Sequence, residues 1–216
     1  MVSLPQQSTK AHELMKLHLD VLKLLFNGEK FPDIKNKFVL EMEELDYINT
    51  LSPGLLSFDS RGNLIGAYPI SPIESPYRVS VEGIGDGYSM CAIDALGVAY
   101  TFNAKTTIFT RDYSTNELIQ ITIDPSLETQ ESQDFIVTYQ ETSSKDLVAA
   151  VSVCPSIHFH SNAGSIVDQQ NIKIMDFETA LKSAVSQFTV SALTSCIDRA
   201  ILKKSGLPMV SDDTCC

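Results

Sequence analysis

Residues 88–100 run Tyr-Ser-Met-Cys-Ala-Ile-Asp-Ala-Leu-Gly-Val-Ala-Tyr, small and apolar almost throughout, the reading of a buried helix rather than of a strand. Beyond Tyr100 the pattern changes. Thr106–Thr110, Glu117–Ile123, Asp134–Thr138 and Val148–Val153 are rich in β-branched residues and separated by polar turns, as in an antiparallel sheet, and Ile157–Phe159 adds a short strand. From Asp176 to Lys204 helical spacing returns through Phe177, Leu181, Val185, Phe188, Leu193, Ile197 and Ile201, with Gly206-Leu-Pro208 closing it.

Upstream of the central helix, Tyr77–Val81 reads as an edge strand behind the stiff connector Pro69–Pro76. Before that come Leu55–Phe58, the turn Asp59-Ser-Arg-Gly-Asn63 and the apolar Leu64–Ile70, a hairpin. Two helices precede it. Leu14, Leu17, Val21, Leu24 and Leu25 share one face of the first, which spans His12–Phe26 and ends at Asn27-Gly28. The second follows Pro32. The reading is an α+β protein: a small N-terminal winged-helix-like lobe (1–76), a mixed, mainly antiparallel sheet domain with flanking helices (77–208), and a tail (209–216) ending in Cys-Cys.

Composition narrows the function. Sixteen Lys and Arg against 27 Asp and Glu give a net charge of −11, so the surface repels phosphate backbones and anionic lipid. The lobe repeats the pattern: Glu29, Asp33, Glu41, Glu43, Glu44 and Asp46 outnumber Lys30, Lys35 and Lys37, where a groove-reading helix is basic. Nucleic acid and membrane are therefore not expected partners. The N-terminus lacks the unbroken apolar core of a secretory signal and no run approaches the roughly 20 residues of a membrane span, so a cytoplasmic protein is expected. In a reducing compartment its five cysteines serve packing, metals or catalysis.

Cys91 and Asp94 lie three apart, so a helix places a thiol and a carboxyl on one face. The plainer alternative is a buried structural thiol with an Asp capping a turn. Cys154 stands at a predicted strand end before Pro155-Ser-Ile-His158-Phe-His160. A Cys/His nucleophile pair lacks a glycine-rich oxyanion turn, and zinc ligation by Cys91, Cys154 and His158 lacks any metal-ligand spacing. His158 packs or hydrogen-bonds beneath Cys154 on this reading, Cys196 is core, and His12 and His18 are surface positions.

Four blocks then fall into one order: Phe58-Asp-Ser-Arg-Gly-Asn-Leu-Ile-Gly66, Pro76-Tyr-Arg-Val, Tyr88-Ser-Met-Cys91-Ala-Ile-Asp94-Ala-Leu96, and Val151-Ser-Val-Cys154-Pro-Ser-Ile-His158-Phe159. Together they resemble the organomercurial (alkylmercury) lyases, from the first helices to about Phe188. The resemblance implies an enzyme of mercuric resistance and detoxification that cleaves carbon–mercury bonds by protonolysis. The family's two active-site cysteines fall on Cys91 and Cys154 and its acid/base carboxylate on Asp94. The three would also hold mercury as substrate and product, with no organic cofactor and an external thiol to remove Hg(II). Pro155 stands where many members have a vicinal second cysteine, and Asp112 where they have another. Partners implied are an organomercurial, small thiols and a mercuric reductase. The alternative is a lyase-like soft-metal binding or sensing protein without turnover.

The chemistry suits the residues independently of the family. Thiolates are the soft ligands that mercury prefers. A carboxyl beside them can accept a thiol proton and pass it to carbon, and an apolar pocket would raise its pKa towards neutrality. Cys215-Cys216 is read as a possible relay that collects Hg(II), or else as an inert tail.

Overall fold

The computed structural model describes residues 4–37, 47–52, 54–131, 133–140, 153–166 and 172–204. Ten strands and six α-helical segments organise the described residues. Helix α1 (Leu4–Phe26) starts well before the expected His12 and ends where Gly28 takes a left-handed φ of 77°, with the Gly28 and Glu29 amides closing on Leu25 and Leu24 carbonyls. Helix α2 (Phe31–Lys37) follows, and residues 47–51 are helical. The hairpin β1 (Leu56–Phe58) and β2 (Leu64–Ala67) turns at Asp59, whose carboxylate accepts the Arg61 and Asn63 amides at 2.8 Å each. After Tyr68 and a cis Pro69 comes β3 (Ile70–Ser71), so the single apolar run of the sequence is two strands.

Strand β4 (Tyr77–Val81) is not the edge strand its flanking prolines suggest. It lies between β5 (Gly85–Ser89) and β6 (Thr106–Arg111), in a seven-stranded sheet ordered β1-β2-β3-β5-β4-β6-β7, with β7 at Leu118–Ile123. The prolines all precede Tyr77, leaving both hydrogen-bonding edges of the strand intact, and Tyr77, Val79 and Val81 are buried in alternation. Strand β5, Gly-Asp-Gly-Tyr-Ser, was invisible to propensity. Its Gly87 lies against the Phe26 ring, where a Cβ would stand 3.0 Å from the ring carbon.

A second, three-stranded sheet orders β10 (Ile172–Asp176), β8 (Ile136–Gln140) and β9 (His158–His160). All described pairings in both sheets are antiparallel. The strand expected at Val148–Val153 lies, except for Val153, outside the described residues, and so does Gly206-Leu-Pro208.

Helix α3 (Ala92–Phe102) fills the place between the sheet and α4 (Phe177–Phe188), and nine of its eleven residues are buried. An apolar helix with no solvent face must be enclosed, and this one is. The long C-terminal helix of the sequence reading is two helices. Thr189 takes extended backbone and its Oγ1 accepts the Ala192 amide at 3.2 Å, so it opens α5 (Val190–Lys204) as an N-cap. Helix α1 packs on α5 and on β3 and β5. Buried apolar residues form one cluster from Ala11 to Ile197. No helix among the described residues is long and apolar enough to cross a membrane.

Candidate active site

Three segments converge at the N-terminus of α3. Cys91 is the N-cap of that helix, in extended backbone at φ −152°, and its sulfur accepts the Asp94 amide at 3.5 Å. Asp94 answers from the N3 position, its carboxylate accepting the Cys91 amide. Cys-Ala-Ile-Asp is thus a capping box with sulfur in place of the usual hydroxyl. The two readings open in the sequence, a capping Asp and a thiol–carboxyl pair, are both true of the same four residues.

Cys154 lies on a single 3-10 turn, Cys154–Ser156, with Pro155 fixing its backbone. The turn is fastened to the helix. Ile157 carbonyl accepts the Ala92 amide at 3.4 Å and the Tyr77 hydroxyl at 3.0 Å. His158 does lie beneath the turn: its Nδ1 is 3.0 Å from the same Tyr77 hydroxyl and its ring stacks on Tyr113 at 3.7 Å and 7°. Burial lowers its pKa to about 4, so at neutral pH it is an uncharged packing group.

The result is a cluster in which ligand atoms of Cys91, Asp94 and Cys154 lie within 4.8 Å of one another, with side chains 1%, 3% and 5% exposed. Cys154 Sγ donates to Asp94 Oδ2 at 3.5 Å, and Cys91 also hydrogen-bonds the carboxylate. Burial pushes Asp94 up to about 7 from 3.8, against the hydrogen bonds from Cys91, Cys154 and the Cys91 amide, which favour its charge. Burial, the contact with Cys154 and the nearby Asp94 charge all push the Cys91 thiol well above its ordinary value. At neutral pH the site therefore holds a carboxyl near its midpoint beside a protonated Cys91 thiol. Two soft sulfurs and one such carboxyl can bind a soft cation and move a proton at the same spot.

Sequence reasoning missed Tyr68, Tyr77 and His18. Tyr68, 1% exposed, places its hydroxyl 3.4 Å from Cys154 Sγ. His18 is wholly buried instead of lying at the surface. The signal was present: His18 falls on the stripe Leu14, Val21, Leu22 and Leu25, at helical spacing from each. Asp112, at the end of β6, is buried and accepts the Ser161 amide and hydroxyl at 2.6 and 2.7 Å and the Ser114 and Thr115 amides at 2.8 Å. Burial raises its pKa, but those four donors outweigh it and hold the carboxylate far below its usual range. It ties the ends of two sheets together. Cys196 is buried, as a core position should be, but it is disulfide-bonded and not the free thiol expected of a reducing compartment. Cys215 and Cys216 lie outside the described residues.

The family model described as MerB: Alkylmercury lyase matches residues 70–185. That span contains Cys91, Asp94 and Cys154 and begins two residues after Tyr68. Among solved structures, one described as the mercury-bound form of MerB2 shares the fold at a TM-score of 0.57 and 17% identity, covering 89% of this chain and 99% of its own. No curated protein matches the chain.

Proposed function

The chain belongs to the alkylmercury lyase family, and from that premise we propose that it cleaves organomercurials by protonolysis, with Cys91 and Cys154 as mercury ligands and Asp94 as the proton shuttle. One observation carries the proposal: a single buried carboxyl hydrogen-bonded to both thiols and raised to about 7. In the proposed reaction one thiol displaces the counter-ligand of R–Hg–X as its thiolate, and its proton leaves with X. The second thiol gives its proton to the Asp94 carboxylate as its sulfur joins mercury. Two sulfur donors load charge onto the carbon, Asp94 returns the proton to it, the carbon–mercury bond breaks and R–H departs. Mercury is left as Hg(II) between two thiolates.

No organic cofactor is required. Two molecules of an external thiol remove Hg(II) as their own complex and restore both protein thiols, since only another soft ligand competes with a thiolate pair. A mercuric reductase would consume the product. A cytoplasmic setting, where small thiols are abundant, suits this cycle.

The test is gas-chromatographic detection of benzene from a phenylmercury salt in the presence of excess small thiol. The intact protein should turn over repeatedly. Asp94→Asn should still bind the mercurial and lose about 100-fold or more in rate, the share of general acid–base catalysis. Stoichiometric binding with no benzene after long incubation would replace this proposal by a soft-metal binding or sensing role, which needs the thiols and not the acid.

A further inference from the structure

The hydroxyl of Tyr68 touches a sulfur that the proposed reaction uses, yet that reaction gives it nothing to do. Its direction can be assigned. When Asp94 is ionised, its Oδ2 takes the single thiol hydrogen of Cys154. The 3.4 Å contact between Tyr68 and Cys154 Sγ is therefore a bond donated by the phenol to the sulfur.

The phenol is held there from a distance. Tyr68 sits between β2 and β3, and its own amide donates to the Leu55 carbonyl at 2.9 Å. Its carbonyl is 3.0 Å from His18 Nε2, and His18 Nδ1 is 2.9 Å from the Tyr47 hydroxyl. A carbonyl only accepts, so Nε2 carries the ring proton and Nδ1 accepts from Tyr47. Burial lowers the His18 pKa to about 4, which keeps this one tautomer in place at neutral pH. A relay of Tyr47, His18 and Tyr68 thus runs from the N-terminal segment to Cys154. A phenol keeps its proton at neutral pH, so Tyr68 remains a donor.

We propose that Tyr68 is a positioning residue for the carbon–mercury chemistry: its hydroxyl aims Cys154 Sγ at Asp94 and stabilises the sulfur as its proton departs. This rests on the reading of Cys154 as a mercury ligand. When the Cys154 proton moves to Asp94, the sulfur gains charge while the phenol bond already points at it. A hydrogen bond to a charged group is stronger than one to a neutral group, so the contact strengthens as the reaction proceeds. It should therefore act on turnover more than on substrate binding.

Tyr68→Phe removes the hydroxyl, keeps the ring and leaves the carbonyl available to His18. The expected result is a kcat for phenylmercury lower by about tenfold with KM within about twofold, and an unchanged urea midpoint or one slightly altered. A purely structural tyrosine would not produce that split. Independently of turnover, protein carrying 13Cζ-tyrosine reads the contact in the folded state: Cys154→Ala, which removes the acceptor, should shift the Tyr68 signal. Wild-type kcat in Tyr68→Phe together with a Tyr68 signal unmoved by Cys154→Ala would overturn the assignment. If the intact protein forms no benzene, the lyase proposal fails, while the Tyr68 signal still decides the Tyr68 contact. Should Tyr68→Phe not fold, wild-type protein carrying 13Cζ-tyrosine supplies the test. The Tyr68 signal should shift when Hg(II) occupies the site, and a signal that stays put under saturating Hg(II) would also overturn the proposal.

Discussion

Burial outweighs three hydrogen bonds at Asp94, and that balance has a measurable sign. The folded pKa is raised from 3.8 to about 7. Between those values the unfolded chain has released this proton and the folded chain keeps it. Stability contributed by the group therefore falls as pH rises through the window, by roughly 4 kcal/mol at most, and is level above and below it. His18 works in the opposite sense: its pKa is lowered to about 4, so the unfolded chain takes up a proton first as pH falls below about 6.5, and stability is lost towards pH 4. The two slopes oppose each other in the wild type, which makes the raw pH profile uninformative. Subtraction isolates Asp94. The unfolding free energy of Asp94→Asn minus that of wild type should climb between pH 4.5 and 7.5, then level off. A flat difference across that range would mean that Asp94 is ionised throughout. These residues also show how far a sequence can be read. The grouping of Cys91, Asp94 and Cys154 was legible because two thiols and a carboxyl in those blocks carry the family resemblance. Tyr68 was not, since its partner lies 86 positions away and nothing local distinguishes it from a core tyrosine.

Elements were legible where their reason is local. β-branched runs gave β6, β7 and β8 to within about two residues, and the Asp-Ser-Arg-Gly-Asn turn gave the first hairpin. Strand β5 escaped because two of its five residues are glycines, which the pairing with β3 and β4 tolerates and propensity does not. Helix α3 shows the same tension in reverse. Gly97 in a helix interior costs roughly 0.5–1 kcal/mol relative to Ala, so Gly97→Ala should stabilise an isolated helix. In the folded protein a Cβ at Gly97 would collide with the Phe188 ring, and Phe188 is itself 1% exposed at the end of α4. The same crossing is fixed by the Thr101 hydroxyl, which donates to the Phe188 carbonyl at 2.8 Å. Overpacking of such a contact costs about 1–3 kcal/mol. The collision should win, and Gly97→Ala should lose about 1–2 kcal/mol in a urea titration. Any gain in stability would show that α3 and α4 can separate freely, and the close packing behind the site would have to be abandoned.

The clustered side chains are brought together by distant parts of the chain. Cys91 and Asp94 belong to α3, Cys154 to a turn 60 positions later than Asp94, and the Tyr68 donor to the end of the first hairpin, steadied by α1 through His18. Strands β1–β3 extend the same sheet as β4–β7, and the buried apolar residues form one cluster. We propose that the segments 1–76 and 77–208 are parts of one cooperative fold, whatever their separate architectural character. Partial opening would then be rare, because releasing α1 uncovers Leu14, Leu22 and Phe26 and strips Tyr68 of its carbonyl partner together. Protection of the thiols measures this directly. Cys91 and Cys154 are 1% and 5% exposed, so a brief pulse of alkylating reagent should label them only in molecules that have opened. Across a urea series, the fraction labelled should follow the loss of helical circular dichroism with the same midpoint. Labelling of either cysteine well before helix is lost would place the site in a subunit of structure that opens by itself. In that event the relay from α1 could not be what holds Tyr68 against Cys154.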